Sequence, residues 1–301
     1  MVEVLQKGFL TLPVSSAHHG LERYGVPAGG PMDICRCTLA NRLVGNSDTD
    51  HVLEATMILP NLRFLDHRAI AIVGGRCNPV LMRNGNELPV PANQTVFVQA
   101  GDVLIGGSLQ TGFRSYLSVS GGFLCPKQRT TPLNNGDCLQ LGTPVNSINP
   151  LMATGFCNMP NNDAILRVTE GVHANQFTRA SLSLFHSESY TYTPQSDRMG
   201  IRFSGKVLEF LDEYDGNILS EGVIPGDIQV TSAGLPILMM ADCQTVGGYT
   251  KIAHVISADL PIAAQLRPGA QVRFALVLIP EAQAAWRKLQ YQMETCLTHL
   301  P

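Results

Sequence analysis

The stretch Pro236-Ile-Leu-Met-Met-Ala-Asp-Cys-Gln-Thr-Val-Gly-Gly-Tyr-Thr-Lys-Ile-Ala-His-Val-Ile256 joins two apolar runs through a polar octet, Asp242–Tyr249. The apolar runs 236–241 and 252–256 are typical of buried strands. The octet is therefore predicted to form a strand-to-strand corner, where a rigid frame holds hydrogen-bonding groups. Gly247-Gly248 favours positive φ and close approach of a ligand to the main chain. A tight hairpin with satisfied turn residues is the alternative.

Length and composition favour two domains. The chain has 301 residues, of which 45% are hydrophobic and 15% charged, so it can bury one large core or two moderate ones. A formal charge of −3 gives no basic footprint for nucleic acid. No apolar run approaches the roughly 20 residues that span a bilayer, and the N-terminus lacks a signal-peptide pattern. We therefore expect a cytoplasmic protein that binds neither nucleic acid nor membrane.

Frequent turn residues predict a mainly β fold with few helices. Glycine (28) and proline (19) divide the chain into short strand-like runs, and two segments are typical of helices. The polar segment 144–163 is taken as the boundary between an N-terminal module with one helix, 1–150, and a C-terminal module with a C-terminal helix, 164–301. The predicted strands include 69–73, 95–98, 114–119 and 271–278, and the predicted helices are 32–44 and 280–297.

A strand in each half runs into a diglycine, at Gly121-Gly122 and at Gly247-Gly248. This repetition hints at two related β-barrels, with coincidence as the alternative. Eight cysteines without a secretory signal predict reduced thiols. Cys35 and Cys37 form the only close pair and the histidines are dispersed, so no metal site is expected.

Several polar residues outside the octet have two interpretations each. Asp33 stands at the expected N-cap of the first helix, a role favoured over ligand contact. Arg198 and Arg202 flank a glycine and suit a carboxylate or phosphate, with salt bridges as the alternative. Glu54 interrupts an apolar run and is either a partnered buried carboxylate or one of raised pKa. Lys251 is expected to be solvated at the entrance of a strand.

The order of these clusters resembles the biotin-dependent carboxyltransferase family, which includes the C subunit of 5-oxoprolinase, allophanate hydrolase subunit 2 and half of the urea carboxylase carboxyltransferase domain. The resemblance covers nearly the whole chain and is strongest over residues 198–274. The segments that carry it are Gly25–Asp33, Ala40–Asn46, Leu53-Glu54, Arg114–Leu117, Gly121-Gly122, Arg198–Arg202, Ser220–Gly226, Ile228–Val230, Asp242–Tyr249, Ala258–Pro261 and Gln265–Gly269.

The resemblance implies two cyclophilin-like β-barrel modules and an obligate partner, the B subunit of the same enzyme, which is an allophanate hydrolase subunit 1-like protein. An A subunit is a possible third member. The implied activity is the ATP-dependent opening of 5-oxoproline to glutamate, with ATP shared with the partner. One alternative is transfer of a carboxyl group from carboxybiotin to a urea nitrogen. Another is a regulatory protein that antagonises a kinase inhibitor homologous to the B subunit.

Either reaction needs a dry pocket that binds a small amide and stabilises charge on its oxygen. The resemblance implies catalytic roles within the octet. Asp242 and Gln244 would orient the amide, and Tyr249 would close one wall. Thr245 and the main chain at Gly247-Gly248 would approach the amide oxygen or a phosphoryl group.

Four further side chains complete the implied substrate-binding set. Arg198 and Arg202 would bind an anionic group, whether a substrate carboxylate or a phosphate. Arg114 and Asp33 belong to the same set, and no metal is expected in it.

The chain departs from the family pattern at three places. Val14, Ser15 and His18 stand where the family has Gln, Asp and Arg. The loop that follows Gly122, near Cys125, is shorter than in the family, and Thr250 replaces a proline. These changes leave two possibilities open: altered specificity and loss of catalysis.

Overall fold

The computed structural model describes residues 1–125, 131–144, 148–155, 159 and 162–299. Parts of the predicted boundary segment 144–163, and residues 126–130 of the shortened loop, lie outside the described residues. Within the described residues the fold has 23 strands and four α-helices, which confirms the mainly β prediction.

The strands in chain order are β1 (Val2–Gln6), β2 (Leu10–Val14), β3 (Val52–Thr56), β4 (Ile58–Leu59), β5 (Asn61–Phe64), β6 (Arg68–Arg76), β7 (Val80–Arg83), β8 (Asn86–Pro89), β9 (Val96–Val98), β10 (Val103–Ile105), β11 (Gly107–Ser108), β12 (Thr111–Val119), β13 (Cys138–Leu139), β14 (Leu151–Ala153), β15 (Asp163–Glu170), β16 (Tyr190–Tyr192), β17 (Gly200–Ser204), β18 (Asn217–Gly222), β19 (Asp227–Val230), β20 (Pro236–Met239), β21 (Val246–Val255), β22 (Gln271–Leu276) and β23 (Leu297–His299). The helices are α1 (Ile34–Leu43), α2 (Arg179–Ser187), α3 (Leu260–Ala263) and α4 (Ile279–Thr295), with short 3₁₀ turns at Glu22–Tyr24 and Ala174–Gln176.

The chain divides into two compact units, and each is built from separated segments. The first comprises Met1–Ser16, Asp33–Met159 and Tyr291–Pro301, and the second comprises Ala17–Met32 and Pro160–Gln290. Residues 17–32 therefore belong to the second unit, and the end of the chain belongs to the first.

The first unit contains a six-stranded sheet, in the order β13-β1-β5-β10-β7-β8, and a five-stranded sheet, in the order β2-β3-β12-β6-β9. Strand β6 is buried on both faces, as its continuous apolar sequence requires. Ile70 and Ile72 join one apolar cluster, whereas Ala69, Ala71 and Val73 join another. Two hydrophobic layers are thus built from alternate residues of one strand.

Helix α1 packs within the second of these clusters through Cys37, Leu39 and Leu43. Asp33 caps the helix, because its carboxylate accepts a hydrogen bond of 3.1 Å from the Arg36 backbone N–H. The predicted N-cap is confirmed. The helix stops before Gly45, whose φ of 71° is the left-handed conformation that glycine adopts readily.

The second unit contains a closed β-barrel. Seven strands follow one another as β15-β22-β16-β17-β20-β19-β21, and antiparallel pairing of β21 with β15 closes the ring. Strand β18 pairs with β21 outside this ring. Ile201, Ile228 and Leu238 are fully buried in the barrel core. Because side chains alternate along a strand, their neighbours Arg202, Gln229 and Ile237 point away from that core.

Candidate functional site

The structure corrects the predicted position of the diglycine. Strand β20 ends at Met239 and β21 begins at Val246, so the corner is residues 240–245 and Gly247-Gly248 lies inside a strand. Neither glycine has positive φ, and Gly247 pairs with Glu221 of β18. By contrast, Gly121 and Gly122 follow β12 with φ of 89° and 67°. The two diglycines are therefore conformationally different.

Close packing, rather than a turn, explains the glycine at 247. A Cβ atom at this position would lie 2.7 Å from Gln229 Nε2 and 3.2 Å from Gln244 Nε2. At Gly248 the nearest heavy atoms to such a Cβ would be 3.3 and 3.5 Å away, which is looser. Gly247 thus makes room for the amide of Gln229.

Gln229 and Gln244 form a pair of side-chain amides. Gln244 Nε2 donates to Gln229 Oε1 at 3.3 Å. Gln229 is 1% exposed, and its Nε2 has no hydrogen-bond partner among the described residues. A buried amide N–H without a partner costs about 1–3 kcal/mol, so an acceptor supplied by a ligand would relieve that cost.

A cavity of about 190 Å³ lies over this amide pair. Pockets for drug-sized ligands have volumes of roughly 300–1,000 Å³, so this cavity suits a smaller molecule. Both polar and apolar residues line this cavity: Asp197, Met199, Gly200, Arg202, Gln229, Thr231, Ile237, Met239, Gln244 and Tyr249. Most of these residues lie on β17, β20, β19 and β21. Asp197 and Met199 precede β17, Thr231 follows β19, and Gln244 lies in the corner before β21.

Arg202 brings a positive charge to the cavity. It stands on β17 opposite Ile237 of β20, and its side chain is exposed. Among the described residues its guanidinium has no ion pair or side-chain hydrogen bond. Tyr249 is 38% exposed and forms part of the opposite wall on β21. Three of the predicted site residues, Arg202, Gln244 and Tyr249, therefore line one cavity.

Arg198 and Asp242, also predicted, bind each other. Arg198 Nε lies 2.7 Å from Asp242 Oδ2, and Arg198 Nη2 lies 3.0 Å from Oδ1. Arg198 Nη2 also donates to the Gly30 carbonyl at 2.6 Å. Arg198 therefore forms a salt bridge, which was the alternative to its predicted role in binding a carboxylate or phosphate. This pair ties the corner before β21 to residues 17–32 of the same unit.

The remaining predicted residues lie elsewhere. The Thr245 carbonyl accepts the Val223 N–H at 3.0 Å, and Thr245 and Gly248 are not among the lining residues of the cavity. Arg114 and Asp33 belong to a buried network of the first unit. Tyr116 Oη donates to Glu54 at 2.8 Å and accepts from the Asp33 backbone N–H at 2.8 Å, and Arg114 Nε lies 3.8 Å from Glu54 Oε1. Glu54 is therefore a partnered buried carboxylate.

The prediction for Lys251 is wrong. The residue is 8% exposed, and its Nζ binds the Gly222 carbonyl at 2.5 Å, Glu221 at 2.8 Å and Asp227 at 3.3 Å. Burial alone would lower the pKa of Lys251, but Glu221 and Asp227 raise it above the ordinary value. Lys251 is thus a buried cation at neutral pH.

Gln229 is a site residue that the sequence interpretation did not select. Its signal is the alternation Asp227-Ile228-Gln229-Val230, in which polar residues occupy every second position of a short apolar strand. Such alternation puts both polar groups on one face. Cys243 is no candidate nucleophile, because burial and the nearby Asp227 and Asp242 raise the pKa of its thiol to about 11.

Residues 24–276 match the family described as "Carboxyltransferase domain, subdomain A and B". The chain is 32% identical over 287 residues to the C subunit of 5-oxoprolinase from Haemophilus influenzae, covering 91% of each protein. It is 30% identical over 313 residues to the C subunit of 5-oxoprolinase from Escherichia coli, covering 98% of this chain and 97% of that protein.

A solved structure is also similar. The crystal structure of the K. lactis urea amidolyase matches 100% of this chain with a TM-score of 0.88 and 27% identity. The chain spans only 20% of the length of that structure. No helix within the described residues has the length and apolar character needed to cross a membrane.

Proposed function

Since this chain belongs to the carboxyltransferase domain family of subdomains A and B, we propose that it is the C subunit of an ATP-dependent 5-oxoprolinase. The reaction converts 5-oxoproline, ATP and two water molecules to glutamate, ADP and phosphate. The chain would act together with the A subunit of that enzyme and with its B subunit, an allophanate hydrolase subunit 1-like protein.

The observation that carries this proposal is the combination of groups in the cavity. The substrate is a small cyclic amide that bears a carboxylate. Gln229 and Gln244 offer an amide edge that matches the lactam C=O and N–H, and Gln229 Nε2 needs an acceptor. Arg202 lies two strands from Gln229, with Ile237 of β20 paired to both, and offers a cation for the carboxylate. Urea would use the amide edge but has no carboxylate for Arg202.

Full-length similarity supports the same reaction. The two relatives named for the C subunit of 5-oxoprolinase match over 91% and 97% of their own lengths. The urea amidolyase structure is five times longer than its matching part, since the chain covers 20% of it. The two relatives of similar length are thus separate subunits and not parts of a longer protein.

In this proposal the chain's own residues bind and polarise the lactam. A hydrogen bond from Gln229 Nε2 to the lactam oxygen would stabilise the charge that develops there when the carbonyl carbon is attacked. Met239 and Ile237 give the cavity an apolar wall that limits water. ATP is expected to bind with a contribution from the partner protein.

The test is reconstitution. The chain should be co-expressed with homologues of the other two subunits, and 5-oxoproline-dependent formation of ADP and glutamate should be measured. We expect turnover only when all three proteins are present. A stable, folded complex without turnover of 5-oxoproline contradicts the proposal, and partner binding alone would then favour a regulatory role.

Carboxyl transfer is the second candidate, favoured by the similarity to urea amidolyase over the whole chain. It would place a small amide such as urea on the same Gln229–Gln244 edge, with carboxybiotin as the donor. The two candidates are separated by supplying the chain with a carboxylated biotin carrier and urea. Carboxylation of urea would support transfer, whereas ATP-dependent glutamate formation without biotin would support the oxoprolinase.

A further inference from the structure

Two residues before Gln229 on β19, Asp227 binds two basic side chains at once. His254 Nδ1 lies 2.9 Å from Asp227 Oδ1, and Lys251 Nζ lies 3.3 Å from Asp227 Oδ2. The Ile224 backbone N–H donates to Oδ2 at 3.1 Å. Asp227 is 6% exposed, so this carboxylate is held by three donors out of water.

A β-bulge makes the arrangement possible. Lys251 and His254 are three residues apart, and in a regular strand they would point to opposite faces. The pairing of β19 with β21 shifts between Ile228↔Ala253 and Gln229↔Lys251, which leaves Ile252 without a partner on β19. The extra residue turns Lys251 to the same face as His254. Bulges commonly re-aim side chains next to active sites.

The same face carries the cavity. Asp227 and Gln229 are two residues apart on β19, which is about 6.7 Å along a strand. Gln229 pairs with Lys251, and Asp227 pairs with His254. Gly247 and Tyr249 precede Lys251 at intervals of two along β21. His254 is not among the residues that line the cavity. Its paired position on β19 is that of Asp227, about 6.7 Å along the strand from Gln229, so a water molecule would have to connect the His254 ring to a bound substrate.

The charges around Asp227 keep it ionised. Burial alone would raise its pKa, but hydrogen bonds from His254 and Ile224 and the charge of Lys251 lower the pKa below the ordinary value. Lys251 in turn is held by Glu221, which also lies 3.9 Å from His173 Nε2. The neighbouring strand β15 places Thr169 opposite His254 and contributes Arg167, which is paired with Asp259.

The outer edge of the His254 ring remains accessible. Its side chain is 30% exposed, and no described residue hydrogen-bonds to Nε2. Gly226, with φ of 105°, approaches this edge, and a Cβ there would lie 2.9 Å from Nε2. A glycine at 226 thus leaves the space in front of Nε2 free of a side chain.

We propose that His254 is the proton-transferring catalytic residue of this site and that Asp227 is its positioning residue. An ionised Asp227 can only accept, so neutral His254 carries its hydrogen on Nδ1 and keeps a lone pair on Nε2. Lys251 holds Asp227 in place. The proposal deepens the proposed function and rests on it for the identity of the substrate.

In lactam opening, Nε2 takes a proton from the attacking water as the bond from the water oxygen to the carbonyl carbon forms. The bond from that carbon to the ring nitrogen then breaks, and the proton passes from Nε2 to the departing nitrogen. His254 ends the step in its starting state, with one water molecule consumed and an amine and a carboxyl group formed. The second water molecule of the overall reaction is consumed when ATP is converted to ADP and phosphate.

Two measurements test the proposal. The first measures the nitrogen-15 NMR chemical shifts of the His254 ring in the full chain, with the His254 signals identified by their absence from the H254Q variant. We expect the hydrogen on Nδ1 in the wild type and a changed tautomer in D227N. The second is the kinetics of the reconstituted complex, in which general acid–base catalysis of about 10²–10⁴-fold predicts a corresponding fall in kcat for H254Q with KM little changed. D227N should also lower kcat, since losing an orienting carboxylate costs serine proteases about 10⁴-fold.

The matched control is H186Q, because His186 lies on α2 with Nδ1 on the Phe274 carbonyl, away from this face. H186Q should keep kcat within a few-fold. An Nε2–H tautomer in the wild type, or H254Q turnover within threefold of the wild type, overturns the proposal. If the wild-type complex fails to open 5-oxoproline, the proposed function fails, and the ring tautomer in wild type and D227N still decides whether the dyad exists.

Discussion

Arg198 and Asp242 are bound to each other through two parallel hydrogen bonds, Nε to Oδ2 at 2.7 Å and Nη2 to Oδ1 at 3.0 Å. Arg198 is 8% exposed and also binds the Gly30 carbonyl. Its fork geometry is what joins residues 17–32 to the corner before β21.

We expect R198K to destabilise the chain, because an ammonium group cannot make this two-point contact. Loss of charge-assisted hydrogen bonds should lower the free energy of unfolding by about 1–3 kcal/mol. Urea denaturation measures the change. R202K, at an exposed position on β17, is the control and should change stability by less than about 0.5 kcal/mol. Equal stability of the two variants would refute the structural role of Arg198.

Gly247→Ala should weaken substrate binding. The new methyl group would lie 2.7 Å from Gln229 Nε2 and displace the amide pair. We expect KM to rise about tenfold, equivalent to roughly 1.4 kcal/mol of binding. Gly248→Ala is the matched control, since the nearest atoms there are 3.3 Å away or more. Similar KM values for the two variants would contradict the packing argument.

Arg202→Gln should reduce affinity for a carboxylate-bearing lactam. A hydrogen bond to a charged group contributes about 1.5–3 kcal/mol, so KM for 5-oxoproline should rise about 10- to 100-fold. The control R273Q removes a guanidinium from an exposed position on β22 of the same barrel and should leave KM unchanged. An unchanged KM in R202Q would place the carboxylate elsewhere.

The contribution of Asp227 to the free energy of unfolding should change with pH. Burial opposes its ionisation, but His254, Ile224 and Lys251 lower its pKa overall, so the folded state favours the carboxylate. That contribution is present above the unfolded pKa of about 3.9 and is lost as pH falls through the lower folded value.

Unfolding free energies of wild type and D227N should therefore differ at pH 6, and the difference should shrink as the pH falls below about 3.9. D212N, which alters an exposed carboxylate, serves as the reference and should show a small difference at both pH values. A gap between wild type and D227N that stays constant down to pH 3 would show that Asp227 acts by packing alone.

Strong local signals made part of the fold predictable. The helix at Ile34–Leu43 follows from its Asp33 cap and the glycine at 45, and α4 follows from Pro280 and Glu281. Helix α2 (Arg179–Ser187), capped by Thr178, was not predicted, although its cap residue is a favourable one. The octet was predicted as a site, and Arg202, Gln244 and Tyr249 do line a cavity.

The sequence could not show which polar residues pair. Arg198 and Asp242 are 44 positions apart, and only the barrel brings their charges together. Lys251 was predicted to be solvated because a single lysine beside a strand usually is. Its burial depends on acceptors from β18 and β19, which strand pairing alone supplies.

The sequence by itself determined the family and the mainly β class, because these depend on the order of the residues and on how often turn residues interrupt the apolar runs. Tertiary structure decided the rest. One unmatched residue, Ile252, turns Lys251 toward Asp227 and His254, and a one-residue shift of register cannot be read from local sequence. The roles of Gly247 and Gln229 likewise depend on a distance between two strands, which exists only after the barrel has closed.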